Sequence, residues 1–415
     1  MTRSIPGSTS GSTPASTPIS PPGFTPGSTD RVALLRRLVV ANVIVFALIL
    51  SLQPYVERFW ELRVANDWGS DWKWLQDGLE RLAAGLPLTR PEMVAGPWSQ
   101  FPPPNHAPTY DWSLHPPYSA TAYAPFMLAP AEFRNVTWAV AMIAVLVAAV
   151  WLAWPRRLWW GTGLLLLTGL FWLPDLGGAW PGIVDQIHYA NPNALVILGL
   201  VLVWLGRKRD SVAIMAAGLV LAALKIAPAA TLGAWLLVAR EGAWATRRAI
   251  LAAAVVLGVM SIPILFLDPG AVSDMIRSQL NLEPWTGRSN LAPLVRLAPL
   301  IGEQSATLLS YGIAAALMLV VLSWRLDGPG GFLIAVTAPL LATPQLWAHW
   351  FLLPAIAFFA TAQEWRLVRA IDRWLEGSAE PAQRPGPRVD GQARAPASTA
   401  GPGALAASDS ARDPA

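Results

Sequence analysis

The chain has 415 residues, of which 54% are hydrophobic and only 13% charged, with a mean hydropathy of +0.42. A soluble protein of this length covers itself with about twice that share of charged side chains, so a soluble multidomain fold is excluded. The net charge of +4 is too small to point to nucleic acid, and the absence of cysteine rules out disulfides, thiolate catalysis and cysteine zinc sites.

Twenty-two tryptophans against six tyrosines add to the picture, because indoles favour the boundary between bilayer and water. The composition is that of an all-α polytopic membrane protein. Residues 1–29 are almost wholly Ser, Thr, Pro and Gly, and 377–415 are rich in Ala, Pro, Gly, Ser, Arg and Asp. Both are expected to be disordered tails, since they offer too little apolar surface to offset the entropy of ordering. Between them, 30–366 form one transmembrane domain.

The first apolar run follows Arg31, Arg36 and Arg37 and reads as an uncleaved signal anchor. Runs able to cross about 30 Å of hydrocarbon fall at 34–52, 134–153, 158–174, 190–206, 211–224, 228–239, 249–267, 304–323, 331–344 and 347–363. About ten spans are expected, with nine to twelve allowed: 211–224 and 228–239 are short, and 117–132 and 291–301 are apolar enough to enter the membrane. Basic clusters at Arg31/Arg36/Arg37, Arg156/Arg157, Arg207/Lys208/Arg209, Arg240/Arg247/Arg248, Arg325 and Arg366/Arg369/Arg373 alternate correctly if both termini are cytoplasmic. The outer side then receives 53–133, 175–189, 268–303 and 344–347. Lys225 departs from this pattern. It lies on the outer side or within the membrane, where a lone lysine costs roughly 2.5–3.5 kcal/mol.

The first outer loop, 53–133, holds six tryptophans: Trp60, Trp68, Trp72, Trp74, Trp98 and Trp112. In it Trp72, Leu75, Leu79 and Leu82 recur at helical spacing. They predict an amphipathic helix over 70–84 lying in the outer interface, with Ser70 as cap and Gly85 and Pro87 as its end.

Several outer residues carry chemistry, each with a plainer reading beside it. Asp67 and Asp71 stand four apart; one carboxylate there suits a general base toward a hydroxyl, or both simply favour a helix amino terminus. His115-Pro116-Pro117-Tyr118 breaks regular structure and implies either a cavity or a rigid turn. His188, Asn191 and Asn193 head the fourth run, as sugar or phosphate partners or as an ordinary helix start. Lys225, three before Pro228, suits a leaving phosphate or snorkels to the interface. Arg288, beside Asn290, has the fork for phosphate. His349, between Trp347 and Trp350, is a ligand-facing or a packed interfacial histidine. Phosphate loops, zinc-protease helices and nucleophile elbows are absent from the sequence.

The order of these motifs resembles glycosyltransferase family 87, GT-C-fold membrane enzymes that include polyprenol-phosphate-mannose-dependent α-mannosyltransferases. The resemblance runs over 34–363 through Gly69-Ser70-Asp71, Ala84-Gly85-Leu86-Pro87, His115-Pro116-Pro117, Asn191-Pro192-Asn193, Lys225 to Pro228, Ser289-Asn290-Leu291 and Trp347 to His349. It departs at Ala190-Asn191, where the family commonly has Gly-Gln, and at Ala348, where it often has an acid. The resemblance implies a GT-C-like bundle that transfers a hexose, mannose foremost, with inversion from a polyprenyl-phosphate donor to a lipid or glycan hydroxyl. The reaction would take place on the extracytoplasmic side of the plasma membrane. Asp71 is its expected base and Asp67 the fallback. Lys225 and Arg288 would balance the phosphate, while His115, Tyr118, His188, Asn191, Asn193, Asn290 and His349 would line the site. No cofactor is implied, and the metal requirement stays open. The rival class is a transporter or polyprenol flippase, which usually carries broken helices in matched halves; only one Lys-Pro break is legible here.

Overall fold

Apolar runs in a medium without water must satisfy their backbone internally, and a helix does this within one segment. The computed structural model describes residues 31–45, 70–95, 115–153, 186–187, 189–240, 242–280, 292–343, 346 and 348–376. Among these residues every regular element is helical. In chain order the helices are α1 (31–45), α2 (Ser70–Ala83), α3 (Pro91–Ala95), α4 (Ser119–Tyr123) and α5 (Arg134–Ala153). Then follow α6 (Asn193–Lys208), α7 (Val212–Ala222), α8 (Ile226–Leu237), α9 (Ala243–Leu267) and α10 (Ala271–Leu280). The last are α11 (Pro293–Ile301), α12 (Glu303–Ser323), α13 (Pro329–Leu341), α14 (Leu352–Thr361) and α15 (Arg366–Glu376).

Among the described residues three helices are long and apolar enough to cross a membrane: Ala131–Ala153, which contains α5, Ala243–Leu267 and Glu303–Ser323. The expected run at 158–174, the end of 34–52 and the tails lie outside the described residues. The runs expected at 211–224 and 228–239 form α7 and α8, of 11 and 12 residues. At 1.5 Å per residue these are about 16 and 18 Å long, little more than half of a hydrocarbon core. Expected segment 117–132 is α4 followed by the 3₁₀ turns Ala124–Leu128 and Ala131–Phe133, and 291–301 is α11. Helices α10 and α15 fall on stretches that the apolar-run reading leaves as loop or basic cluster.

At the centre lies α6, packed by α5, α7 and α14. Glycine makes the α6–α7 contact possible. A Cβ added to Gly199 would stand 2.6 Å from the Ala222 amide nitrogen and the Gly218 carbonyl; one on Gly218 would stand 2.6 Å from the Val203 nitrogen. Gly206 meets Met215 equally closely. Residue numbers rise on one helix as they fall on the other, so α6 and α7 run antiparallel with touching backbones, the small-residue packing that suits lipid. Helix α8 returns to the starting side, where Trp235 and Trp204 enclose Phe332 of α13 at ring distances of 5.1 and 5.0 Å. Helices α7 and α8 are therefore a hairpin that turns at Leu224-Lys225.

Helix α9 shows which surfaces meet lipid. Ala245, Ala249 and Ala253 are buried, while Leu251, Val255, Val259, Ile262 and Phe266 are exposed. A helix with small residues inward and large apolar ones outward has lipid as its solvent.

The glycine contact yields a stability test. Gly218→Val should overpack α6 against α7 and cost about 1–3 kcal/mol or more, seen as a lower melting temperature in detergent. Gly258→Ala, on α9 with nothing within 4 Å of an added Cβ, should leave the melting temperature unchanged or slightly raised.

Candidate functional site

The site begins with α2. Its stripe of Trp72, Leu75, Leu79 and Leu82 is buried as the spacing predicts. Trp72 stacks on Trp138 of α5 at 4.9 Å and meets Phe126 edge-on at 5.8 Å. The stripe expected to rest in the bilayer interface is thus turned onto protein: α4, the turn after it and α5. The helix stops at Gly85, whose φ of +73° suits glycine. The Gly85 amide donates to Leu82 and the Leu86 amide to Arg81, a Schellman closure. Two further ties hold its polar side. Arg90 grips Asp77 through two bonds of 2.8 and 3.1 Å, and Arg134 reaches Glu80 at 3.3 Å. Burial of Trp72 fixes the rotation of α2, and with it the place of half-buried Asp71.

What meets Asp71 is the start of α6. The Asn193 amide donates to Asn191 Oδ1 at 2.9 Å, so Asn191 serves the unpaired N–H groups of the helix start. With Oδ1 occupied by a donor, the other end of that amide is its NH2 group, and it donates to Asp71 Oδ2. One side chain therefore caps a helix and orients a carboxylate. The residue before it, Ala190, has φ +50°, a left-handed conformation costing of order 1–3 kcal/mol for a residue with a Cβ. Trp138 Nε1 donates to the Ala190 carbonyl at 2.7 Å. Gln186 braces the other flank: its carbonyl accepts from the Asn191 amide at 3.3 Å, and its own side-chain NH2 donates to the Asn191 carbonyl.

The turn of the α7–α8 hairpin closes the third side. Tyr118 donates its hydroxyl to the Ala223 carbonyl, and His115 hydrogen-bonds the backbone of Leu224. Lys225 lies within electrostatic reach of both Asp71 and His115. Its Nζ sits 4.0 Å from the centre of the Trp350 ring, a cation–π contact. Buried His349 stacks on Trp350 at 6.5 Å between ring centres.

Asn193 is fully buried, and both polar atoms of its side-chain amide lack a hydrogen-bond partner among the described residues; the same holds for Trp72 Nε1. Groups of this kind are nearly always paired in proteins, so a side-chain amide left without a partner two residues after Asn191 is suited to a hydroxyl-bearing ligand.

Seven sequence-predicted residues, Asp71, His115, Tyr118, Asn191, Asn193, Lys225 and His349, thus belong to one neighbourhood built from α2, the segment before α4, the start of α6, the hairpin turn and the last 3₁₀ turn. Asp67, His188, Arg288 and Asn290 lie outside the described residues. Sequence reasoning did not single out Trp138, Gln186 or Trp350 as site residues. It also missed Asp268, whose buried carboxylate takes the Leu88 amide at 2.8 Å and the Gly270 amide at 3.1 Å. Gln186 had a local signal, five residues ahead of Asn191, and Trp350 stood beside His349; Trp138 and Asp268 act across the fold and had none. Among the described residues no group of three or more His, Asp or Glu side chains is placed to hold a metal ion.

No protein-family model, curated protein or solved structure matches this chain. Fold and site define a class, an α-helical protein with membrane-spanning helices and a carboxylate–amide–lysine cluster.

His115 belongs to no spanning helix. Burial first, then the Lys225 charge, push its imidazole down to about 3 from 6.5. It is therefore neutral at physiological pH, acting as a hydrogen-bond group and not as a charge. The unfolded chain takes up a proton there near pH 6.5, the folded chain only near 3, so stability is lost as pH falls below about 6.5. The loss is at most about 1.4 kcal/mol per pH unit. Melting temperatures from pH 7.5 to 5 should fall for the wild type and fall less for His115→Asn; equal slopes would remove His115 from the account.

Proposed function

We propose that this protein is a membrane glycosyltransferase of the GT-C kind. It moves a hexose, mannose foremost, from a polyprenyl-phosphate donor to a lipid or glycan hydroxyl on the extracytoplasmic side of the plasma membrane. The observation that supports this best is the Asp71 carboxylate, hydrogen-bonded by Asn191 with Lys225 within electrostatic reach. A base that must deprotonate a hydroxyl beside a departing anion needs a fixed carboxylate and a nearby cation, and these three residues supply both.

In this reading the acceptor hydroxyl gives its proton to Asp71 as its oxygen attacks the anomeric carbon from the face opposite the phosphate. The carbon–oxygen bond to phosphate breaks, its electron pair leaves on the polyprenyl phosphate, and the anomeric centre inverts. Protonated Lys225, with Arg288, offsets the phosphate charge. Asn193, with a donor and an acceptor both open, hydrogen-bonds a sugar hydroxyl, while neutral His115, Tyr118, His349 and Asn290 line the site with His188. Both termini face the cytoplasm and about ten spans cross the membrane. In this reading the short α7–α8 hairpin holds Lys225 within the hydrocarbon depth, about 18 Å from the cytoplasmic side, so the donor's phosphate is drawn into the bundle to meet it.

The test is purified enzyme, a polyprenyl-phosphate hexose and a hydroxyl acceptor. Asp71→Asn should lower turnover about 10²- to 10⁴-fold, with donor binding kept because the amide retains the shape of the acid. Near-normal turnover of that variant would remove Asp71 from the chemistry. Donor movement across vesicles without product would favour a flippase instead.

A further inference from the structure

The opposite end of α6 carries a second polar assembly. Helix α15 has three faces at 100° per residue. Val368 and Leu375 are buried, packed with Val40 and Ile44 of α1. Arg366, Arg369 and Arg373 share an exposed side. Between the two runs an apolar edge of Leu367 and Trp374, which stay 71% and 52% exposed among the described residues.

Helix α1 adds its own arginines to this helix. Arg36 donates to the Trp374 carbonyl at 2.9 Å with its guanidinium 4.8 Å above the Trp374 ring, and Arg37 donates to the Leu375 carbonyl at 3.3 Å. Both thereby cap the carboxyl end of α15, where cations are favoured. Lys208, at the end of α6, pairs with Glu364 just before α15, which brings Arg207 and Arg209 to the same region. Basic residues from three distant stretches, 31–37, 207–209 and 366–373, meet around one amphipathic helix.

We propose that α15 and the start of α1 form a docking surface for anionic phospholipid headgroups. Leu367 and Trp374 enter the acyl boundary, and the arginines of α15 meet the phosphates. Two observations carry this. The exposed apolar edge lies next to the arginine row on the same helix, the arrangement of a helix resting in the plane of a membrane. The charge around it is predominantly positive, nine basic residues in the three stretches against Glu364, Asp372 and Glu376, and is complementary to an anionic leaflet. An acidic protein partner would account for the arginines but would leave Leu367 and Trp374 without a role. The proposal is independent of the transferase reading and uses none of its residues.

Native mass spectrometry of the full-length protein in mixed micelles tests it, with phosphatidylglycerol and phosphatidylcholine as competing probes. The wild type should retain phosphatidylglycerol preferentially. Arg366→Gln/Arg369→Gln/Arg373→Gln should weaken that retention about tenfold or more, and Arg366→Lys/Arg369→Lys/Arg373→Lys should keep most of it. Arg277→Gln, on α10, is the charge control and should bind as the wild type does. The preference should shrink at high salt, and inorganic phosphate should not displace the lipid. No preference in the wild type, or equal loss in the lysine and glutamine variants, would overturn the proposal. Binding of an acidic protein with no lipid preference would overturn it as well.

Discussion

A single amide side chain, that of Asn191, is bonded at both ends, and the arrangement of the site follows from it. Its oxygen accepts from a backbone N–H at the start of α6, and its nitrogen donates to the carboxylate of Asp71 on α2. Helix α6 is the most enclosed element of the bundle, so its start is a fixed point, and α2 is held to that point through one hydrogen bond. The rotation of α2 comes from elsewhere, from Trp72 stacked between α2 and α5. Trp138 takes part in both constraints: its ring face supports Trp72, and its N–H holds the Ala190 carbonyl in the strained turn that aims Asn191. Packing and polar geometry are joined in that indole. Backbone strain, a buried hydrogen bond and a stacked ring converge on the residue before Asn191, the kind of over-determination that keeps a strained conformation in place at a functional site.

The membrane explains why the scaffold is built from such unlike helices. Where lipid is the solvent there is no gain in hiding large apolar side chains, and association rests on close approach. Gly199, Gly206 and Gly218 let α6 and α7 touch, and the alanines of α9 do the same on the far side of α7, leaving Phe266 and its neighbours to the lipid. Close packing around α6 permits α7 and α8 to be too short to cross. Their turn is surrounded by protein, so its irregular backbone is tolerated: Tyr118 donates to the Ala223 carbonyl, His115 hydrogen-bonds the backbone of Leu224, and Lys225 rests on Trp350.

Much of this was legible in the sequence, for identifiable reasons. Helix α2 was readable to within a residue, because Trp72, Leu75, Leu79 and Leu82 carry a clean period and Gly85-Leu86-Pro87 carries a stop. The membrane class followed from composition, and the Lys225–Pro228 break marked the hairpin turn. Span number was less legible. Hydropathy measures how apolar a run is, and α7, α8 and α13 are strongly apolar yet short. The direction of the α2 stripe was hidden too: period alone cannot tell a helix resting on lipid from one resting on Trp138. Asn191 could be read as a cap or as a ligand, and it is a cap that also holds Asp71. A local pattern exposes the first role only, because its partner stands 120 residues away. Trp138 and Asp268 also act across long separations and left no mark in sequence, while Trp350 stood out only as a neighbour of His349 and its contact with Lys225 was hidden.

The polarity of α6 relates the two polar assemblies at its ends. Its peptide dipoles sum to a partial positive charge at Asn193 and a partial negative charge at Lys208. Asp71 meets the positive end, where an anion is favoured, and no basic side chain of α6 itself lies there. Arg207 and Lys208 lie in the last turn, at the negative end, and Lys208 passes its charge to Glu364 beside α15. Each end therefore carries the sign that its dipole prefers, and the same direction of α6 that suits a carboxylate at one end suits arginines and lysines at the other. Had the central helix run the other way, Asp71 would stand against unpaired carbonyls and the basic row against unpaired N–H groups. The direction of one buried helix thus decides on which side of the protein an acid can be held ready and on which side cations collect.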